Sequence, residues 1–196
     1  MVKKLTANEF NNVKVLVKSV FDKCVAPSYT EEGVQEFYKF VNDNEKLASL
    51  DLWGYYIEDR LIGVIGTRDE ISHISLFFVD NEFQRHSFGK KLLDTVLEET
   101  KADVISVNSS PSAVNAYKYM GFVATDGEIE ANGIKYVPME LKVEKVNENS
   151  ENYSMADLLA EEDKKIKKEK EENERLAIVH QELLRLESQR KKQEYI

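Results

Sequence analysis

The chain has 196 residues, of which 42% are hydrophobic and 32% are charged, and its formal net charge is −9. An acidic chain lacks the basic surface that attracts polyanions, so we expect no nucleic-acid partner. Cys24 is the only cysteine and the three histidines are scattered along the chain, which excludes an internal disulfide and predicts no metal site.

The first third of the chain predicts one strand and two helices. Residues 2–5 read as a short strand, and Thr6 with Glu9 forms a capping box. The apolar residues that follow recur at helical spacing: Phe10, Val13, Leu16, Val17, Val20 and Phe21. After a break at 26–28, Thr30 begins a second helix, whose apolar face consists of Val34, Phe37, Phe40 and Val41.

Three strands rich in aromatic and β-branched residues come next. Residues 52–57 and 61–67 flank the turn at Asp59-Arg60 and predict a hairpin. Residues 73–79 form the most apolar strand, and a polar loop over residues 80–89 leads from it into a helix. The side chains that this helix turns inward are Leu92, Leu93, Val96 and Leu97.

The last elements before residue 145 are a strand at 104–107, a helix at 111–120 that ends at Gly121, and two further strands. These strands, at 122–125 and 136–143, bracket an Asn132-Gly133 turn, which is a strong hairpin signal. The order of elements predicts an α/β (α+β) fold in which a mixed sheet is covered by helices on both faces.

The composition changes after Val143. We expect one folded domain over residues 1–145, a polar linker over 146–153 and a charged helical extension over 154–196, which contains neither Gly nor Pro. A short coiled-coil seam is formed by Leu176, Val179, Leu183 and Leu186. We expect the extension to form a homodimer through this seam; the alternative is a solvated helix with one apolar stripe.

Two polar stretches carry the chemistry. The loop Gln84-Arg85-His86-Ser87-Phe88-Gly89-Lys90 lies where a helix begins. Free backbone N–H groups and the positive end of the helix dipole can bind a pyrophosphate there, although an ordinary strand-to-helix turn would have the same sequence. The second stretch runs from Asn108 to Phe122 and carries Tyr117 four residues before Gly121.

Together these stretches resemble the GNAT superfamily of acyl-CoA-dependent N-acetyltransferases over about residues 1–145. One motif of that family, Gln/Arg-x-x-Gly-x-Gly/Ala, is matched by Gln84, Ser87 and Gly89. A second is matched from Ala113 through Tyr117 and Gly121 to Phe122. The sequence departs from the family at Ser87, where a glycine is preferred, and at Ser110, where the second motif often has Asn.

The resemblance implies a mainly antiparallel sheet in which the strand ending at Val79 splays from the strand ending at Asn108. Acetyl-CoA, as co-substrate, would place its pantetheine arm in that gap, and a backbone N–H would bind the thioester carbonyl. The residues expected to contact it are Phe78, Val79, Gln84, Arg85, His86, Ser87, Phe88, Gly89, Lys90, Asn108 and Asn115.

Two residues are expected to act on protons. Tyr117 matches the family's tyrosine acid and would protonate the departing thiolate; the alternative is a donor that only orients the sulfur. His73 is expected to be the base that accepts the amine's proton, with Ser75 on the same face as a water relay. The alternatives for His73 are a strand-end histidine bonded to a neighbour and a water chain that needs no side-chain base.

These expectations predict an enzyme that transfers an acetyl group directly to a primary amine of a small molecule or peptide. The alternative is a non-catalytic module that senses acyl-CoA and engages a partner through its C-terminal helix. The sequence has neither the apolar core of a signal peptide nor a membrane-spanning run, so we predict a cytoplasmic protein without a membrane partner.

Overall fold

The computed structural model describes residues 1–143. The expected linker at 146–153 and the expected helix at 154–196 therefore lie outside the described residues. Within them, the helices are α1 Phe10–Cys24, α2 Glu31–Asn42, α3 Asn44–Ala48, α4 Phe88–Glu99 and α5 Val114–Tyr119. The strands are β1 Val2–Lys4, β2 Asp51–Ile57, β3 Arg60–Arg68, β4 His73–Val79, β5 Val104–Ser109, β6 Val123–Ala124, β7 Ile129–Ala131 and β8 Ile134–Lys142.

The strands form one sheet in the order β1-β2-β3-β4-β5-β8-β6, and β7 pairs with β8. Every neighbouring pair is antiparallel except β4 and β5, which run parallel. A parallel pair needs a long crossover, and here α4 provides it. The predicted mixed, mainly antiparallel sheet with flanking helices is confirmed.

Helix α1 covers one face of the sheet through the apolar stripe that its sequence predicts. The six residues of that stripe are all buried: Phe10, Val13, Leu16, Val17, Val20 and Phe21. Five of them belong to a cluster that includes Leu52, Val64 and Leu76 of three adjacent strands. The predicted capping box is present, since Glu9 accepts hydrogen bonds from both the backbone N–H and the hydroxyl of Thr6.

Helix α4 contributes to the packing of the sheet through Phe88, Leu92, Leu93 and Val96, which are all buried. The ring of Phe88 lies 4.8 Å from the ring of Tyr55 on β2. Leu92 comes so close to the sheet that a Cβ on Gly63 would be 3.0 Å from its Cδ1. The first turn of α4 also lies beside the end of β4, since a Cβ built on Gly89 would contact Phe77 and Val79, and the site described below begins there.

The hairpin at Asn132-Gly133 differs from the prediction. The strand that precedes the turn is β7 at Ile129–Ala131, and the strand predicted at 122–125 is reduced to β6. Three residues are too few to show strand periodicity, so β7 was missed. Helix α3, five residues long, was missed for the same reason.

The tip of this hairpin lies against the start of α2. The carbonyl oxygen of Gly133 accepts a hydrogen bond from the backbone N–H of Thr30 at 3.1 Å. A Cβ at Gly33 would collide with the same carbonyl, and Gly133 itself has a φ of +74°. The two glycines thus allow the β7–β8 hairpin to approach α2 directly. Among the described residues, no helix is both long and apolar enough to span a membrane.

Candidate active site

A gap opens between the two parallel strands in the middle of the sheet. Strands β4 and β5 pair only at His73↔Ser106 and Ile74↔Val107. Beyond these pairs β4 continues to Val79 and β5 continues to Ser109 without pairing to each other. The strands therefore splay, as the family resemblance implies.

The backbone of β4 presents to this gap peptide groups that pair with no other strand. The N–H of Asp80 donates to the carbonyl oxygen of Ile62 on β3 at 2.8 Å. Peptide groups alternate from side to side along a strand, so the peptide group of Phe78 also points to β3. The peptide groups of Phe77 and Val79 consequently point into the gap. They can bind an extended ligand as a neighbouring strand would.

Phe78, which the sequence placed among the cofactor contacts, lies elsewhere. Its ring is 5.9 Å from the ring of Phe37 on α2, and its peptide group faces β3. The residue with the geometry required of that contact is Phe77, which begins the backbone stretch 77–79 where the family resemblance implies pantetheine binding. The register with β3 identifies it, and this register cannot be derived from strand composition.

Ser75 is the extra residue of a β-bulge. Gly66 and Thr67 of β3 pair with Leu76 and Ile74 respectively, which leaves Ser75 without a partner. A bulge interrupts the regular alternation of side chains. The prediction that Ser75 shares a face with His73 depended on that alternation, so it no longer follows.

The loop that enters α4 has the backbone geometry of an anion-binding site. Arg85 and Ser87 have φ values of +66° and +61°. The Ser87 side chain makes no capping hydrogen bond to the helix, so it leaves the first N–H groups of α4 available. Left-handed residues before an uncapped helix N-terminus direct several N–H groups to one point, and this arrangement fits a pyrophosphate.

The side chains of the loop over residues 84–90 differ in their hydrogen bonds and in their burial. The Gln84 amide donates to the Val79 carbonyl oxygen and to Asn81 Oδ1, both at 3.0 Å, so it holds the loop against β4. The Lys90 ammonium is paired with Asp94 at 2.7 Å. Phe88 is buried in the core. The Nδ1 atom of half-buried His86 has no hydrogen-bond partner among the described residues.

We predict that Ser87→Gly preserves or improves acetyl-CoA binding. Glycine tolerates the left-handed φ that serine adopts at a cost of about 1 kcal/mol, so unfolding should become less favourable by a comparable amount. Calorimetry and denaturant unfolding measure the two effects. A tenfold loss of affinity would show instead that the serine hydroxyl, and not the backbone, holds the phosphate.

Tyr117 lies beside the gap. Its ring packs edge-on against Phe77 at 6.0 Å and against Phe122 at 5.2 Å, and its side chain is buried. Burial, and to a lesser degree the neighbouring phenol of Tyr29, raise the pKa of Tyr117 well above its ordinary value of 10.0. The hydroxyl is therefore a neutral hydrogen-bond donor at physiological pH.

His73 lies where the paired part of β4 and β5 begins. Its Nδ1 is 2.8 Å from Ser106 Oγ on β5. Burial and, secondly, the positive charge of Arg68 lower the pKa of His73 below 6.5, while Asp69 opposes them. The imidazole is thus neutral at physiological pH, which is the protonation state that a base requires.

The two asparagines predicted to contact the cofactor are both exposed, Asn108 on β5 and Asn115 on α5. Asn108 follows the last residue of β5 that pairs with β4, so it lies at the gap. Ser110, at the family's Asn position, is nearly buried and its hydroxyl bonds Ser112 Oγ at 3.1 Å. Ser106 was not identified from the sequence, since its contact with His73 spans 33 residues.

Comparison with known proteins gives a consistent result. Residues 25–143 match a family model described as the acetyltransferase (GNAT) domain. A comparison with curated protein sequences finds no match.

Among the residues that the structure describes, no group of three or more His, Cys, Asp or Glu side chains could hold a metal ion.

Several solved structures share the fold. A GCN5-related N-acetyltransferase from Rhodopseudomonas palustris aligns with a TM-score of 0.64 at 16% identity, covering 72% of this chain and 94% of the other. The PaiA N-acetyltransferase of Thermoplasma acidophilum, solved with coenzyme A, gives 0.59 at 16% identity over 72% and 98%. The ribosomal-protein-S18-alanine N-acetyltransferase of Escherichia coli gives 0.50 at 15% identity over 76% and 97%.

Proposed function

The chain belongs to the GNAT family of acetyltransferases, and on that premise we propose that it transfers the acetyl group of acetyl-CoA to a primary amine. The acceptor is a small molecule or a peptide, and the transfer is direct. The observation that carries this proposal is the gap between β4 and β5, because unpaired peptide groups, an uncapped helix N-terminus and a buried tyrosine all adjoin it.

Different groups at the gap bind different parts of acetyl-CoA. Backbone N–H groups from Arg85 to Lys90 hold the pyrophosphate at the start of α4. The peptide groups of Phe77 and the N–H of Val79 bind the pantetheine arm, and one of these N–H groups stabilises the negative charge that develops on the carbonyl oxygen. When bound, acetyl-CoA supplies an activated thioester.

The overall reaction requires two proton movements. The amine nitrogen forms a bond to the acetyl carbon and the carbon–sulfur bond breaks. Of the three protons on the starting ammonium, one stays on the amide and two pass to water, from which the departing thiolate takes one. Tyr117 donates a hydrogen bond to the departing sulfur; its raised pKa favours such a hydrogen bond over complete proton transfer, because a free thiol has a pKa of about 8.5.

His73 accepts the proton of the ammonium through water. Because of the bulge at Ser75, His73 and Phe77 pair with residues of β3 that are only three positions apart, so at about 3.3 Å per residue their Cα atoms lie about 10 Å apart along the sheet. An imidazole cannot cover this distance alone, so one or two water molecules connect it to an amine at the thioester. This proposal combines the two alternatives of the sequence, a side-chain base and a water chain.

We predict that kcat falls at acid pH with a midpoint below 6.5, since the pKa of His73 is lowered and only the neutral imidazole accepts a proton. Arg68→Gln should move the midpoint upward and Asp69→Asn should move it downward. Both shifts should be modest, because these side chains are 54% and 68% exposed. An acid limb that persists unchanged in His73→Gln would assign it to another group.

Direct transfer has its own kinetic signature. Initial rates measured against both substrates should give intersecting double-reciprocal lines, because both substrates are bound when the acetyl group moves. Parallel lines would indicate an acetyl-enzyme intermediate and would contradict this part of the proposal.

Catalysis is proposed to reside in residues 1–145 and self-association in the extension at 154–196. Truncation after Lys145 should leave kcat within about twofold, since every residue assigned above precedes Phe122, while the molar mass measured by light scattering should change from dimer to monomer. If the truncated protein is inactive, the assignment of catalysis to residues 1–145 is wrong. If the full chain is monomeric, the assignment of self-association to the extension is wrong.

A further inference from the structure

The hydrogen bond between His73 and Ser106 joins the first of the two positions at which β4 pairs with β5, one residue before the last pair at the gap. His73 Nδ1 and Ser106 Oγ are 2.8 Å apart, and the two residues are direct neighbours in the parallel register of β4 and β5. The backbone N–H of Ser106 also donates to the carbonyl oxygen of Ser72 at 2.9 Å. The backbone thus fixes the position of the Ser106 side chain relative to the imidazole.

The Ser106 hydroxyl has two acceptors within reach. Its Oγ lies 3.3 Å from the Ser72 carbonyl oxygen, which can only accept, and 2.8 Å from His73 Nδ1. When the hydroxyl proton is directed to Ser72, Oγ offers only its lone pairs to the imidazole, and Nδ1 then carries the ring proton.

We propose that Ser106 is a positioning residue that holds neutral His73 in its Nδ1–H tautomer and leaves the lone pair on Nε2. The proposal rests on the proposed function in one respect, the role of His73 as base. Nε2 is the ring nitrogen that Ser106 does not occupy, and it accepts the proton delivered by water from the acceptor amine. The resulting imidazolium keeps its bond from Nδ1 to Ser106 Oγ, so the hydrogen bond survives protonation.

The charged groups around this pair come from three places. Arg68 on β3 is the register partner of His73, and Asp69 follows it in the turn. Glu140 on β8 is the register partner of Ser106. None of them replaces the Ser106 hydroxyl as the acceptor from Nδ1, because that nitrogen is already engaged. Their charges shift the titration of His73 without choosing its tautomer.

The test compares Ser106→Ala with Ser106→Thr in the full chain. Long-range proton–nitrogen NMR of the neutral imidazole identifies the protonated nitrogen. The wild type and Ser106→Thr should show Nδ1–H, whereas Ser106→Ala should shift to the Nε2–H form that free histidine prefers. In the same variants kcat should fall roughly tenfold for alanine, a fraction of a general-base contribution, with the KM for acetyl-CoA unchanged, and threonine should restore it.

Two outcomes separate this inference from the proposed function. An Nε2–H signal in the wild type, or an unchanged signal in Ser106→Ala, overturns the role of Ser106 whatever the activity. Wild-type turnover in His73→Gln overturns the base assignment within the proposed function instead. A loss of activity in Ser106→Ala that threonine does not restore would also overturn the inference, because it would reflect packing and not the hydroxyl.

Discussion

Replacement of Tyr117 by phenylalanine is expected to lower kcat about a hundredfold, the usual effect of removing one preorganised donor from developing negative charge. The Kd for acetyl-CoA should change by less than about threefold, because the hydroxyl acts on the thiolate as it departs and contributes little to the ground state. The aromatic contacts of Tyr117 with Phe77 and Phe122 remain in the variant. Steady-state kinetics and calorimetry measure the two quantities.

Tyr119→Phe is the matched control. Tyr119 lies two residues further along the same helix and is 90% exposed, so its variant should keep full activity. If Tyr117→Phe turns over at the wild-type rate, Tyr117 is a packing residue. If it loses affinity for acetyl-CoA and turnover in the same proportion, the hydroxyl contributes to binding and the assignment to the leaving group is wrong.

Gly89→Val is expected to abolish acetyl-CoA binding. A Cβ at Gly89 would lie 3.6 Å from Phe77 Cζ and 3.7 Å from Val79 Cγ2, which is ordinary contact distance, so the domain can accommodate a first methyl group. The further methyl groups of valine would occupy space at the mouth of the gap and hold the phosphates away from the helix N–H groups. Since each charge-assisted hydrogen bond contributes about 1.5–3 kcal/mol, the loss of two should weaken binding at least about a hundredfold.

Two variants control for unfolding and for nonspecific effects. Gly89→Ala should fold at least as stably as the wild type, because alanine favours a helix over glycine by about 1 kcal/mol. Gly127 has no atom within 4 Å of a Cβ built on it, so Gly127→Val should bind acetyl-CoA normally. If folded Gly89→Val binds acetyl-CoA with unchanged affinity, this loop does not bind the pyrophosphate.

Local patterns in the sequence were sufficient to predict most of the fold. The capping box at Thr6 predicted where the first helical segment begins. The apolar residues of α1 recur at helical spacing, and the same residues pack against the sheet in the structure. The strand at 73–79 was predicted because it is the most apolar of the predicted strands. The hairpin at Asn132-Gly133 was recognised by its turn, but its first strand was placed too early because β7 has only three residues.

The site was less accessible to sequence reasoning, because its geometry depends on pairing between distant strands. The bulge at Ser75 and the orientation of the Phe77 peptide group follow from the register of β4 with β3. The contact of His73 with Ser106 follows from the register with β5. Ser87 shows a different case: its left-handed φ explains why the family motif prefers glycine at this position, and serine adopts the same backbone conformation.

Amine-dependent release of CoA thiol by the full chain is the most direct test of the proposed acetyl transfer. The wild type is incubated with acetyl-CoA and, separately, with small primary amines and with peptides that have a free N-terminus, and thiol release is followed while mass spectrometry identifies the product. We expect at least one amine to become singly acetylated in proportion to the thiol released, and Tyr117→Phe to slow both about a hundredfold. Acetyl-CoA that binds without amine-dependent thiol release from any acceptor would contradict the proposed acetyl transfer and would indicate an acyl-CoA-sensing module.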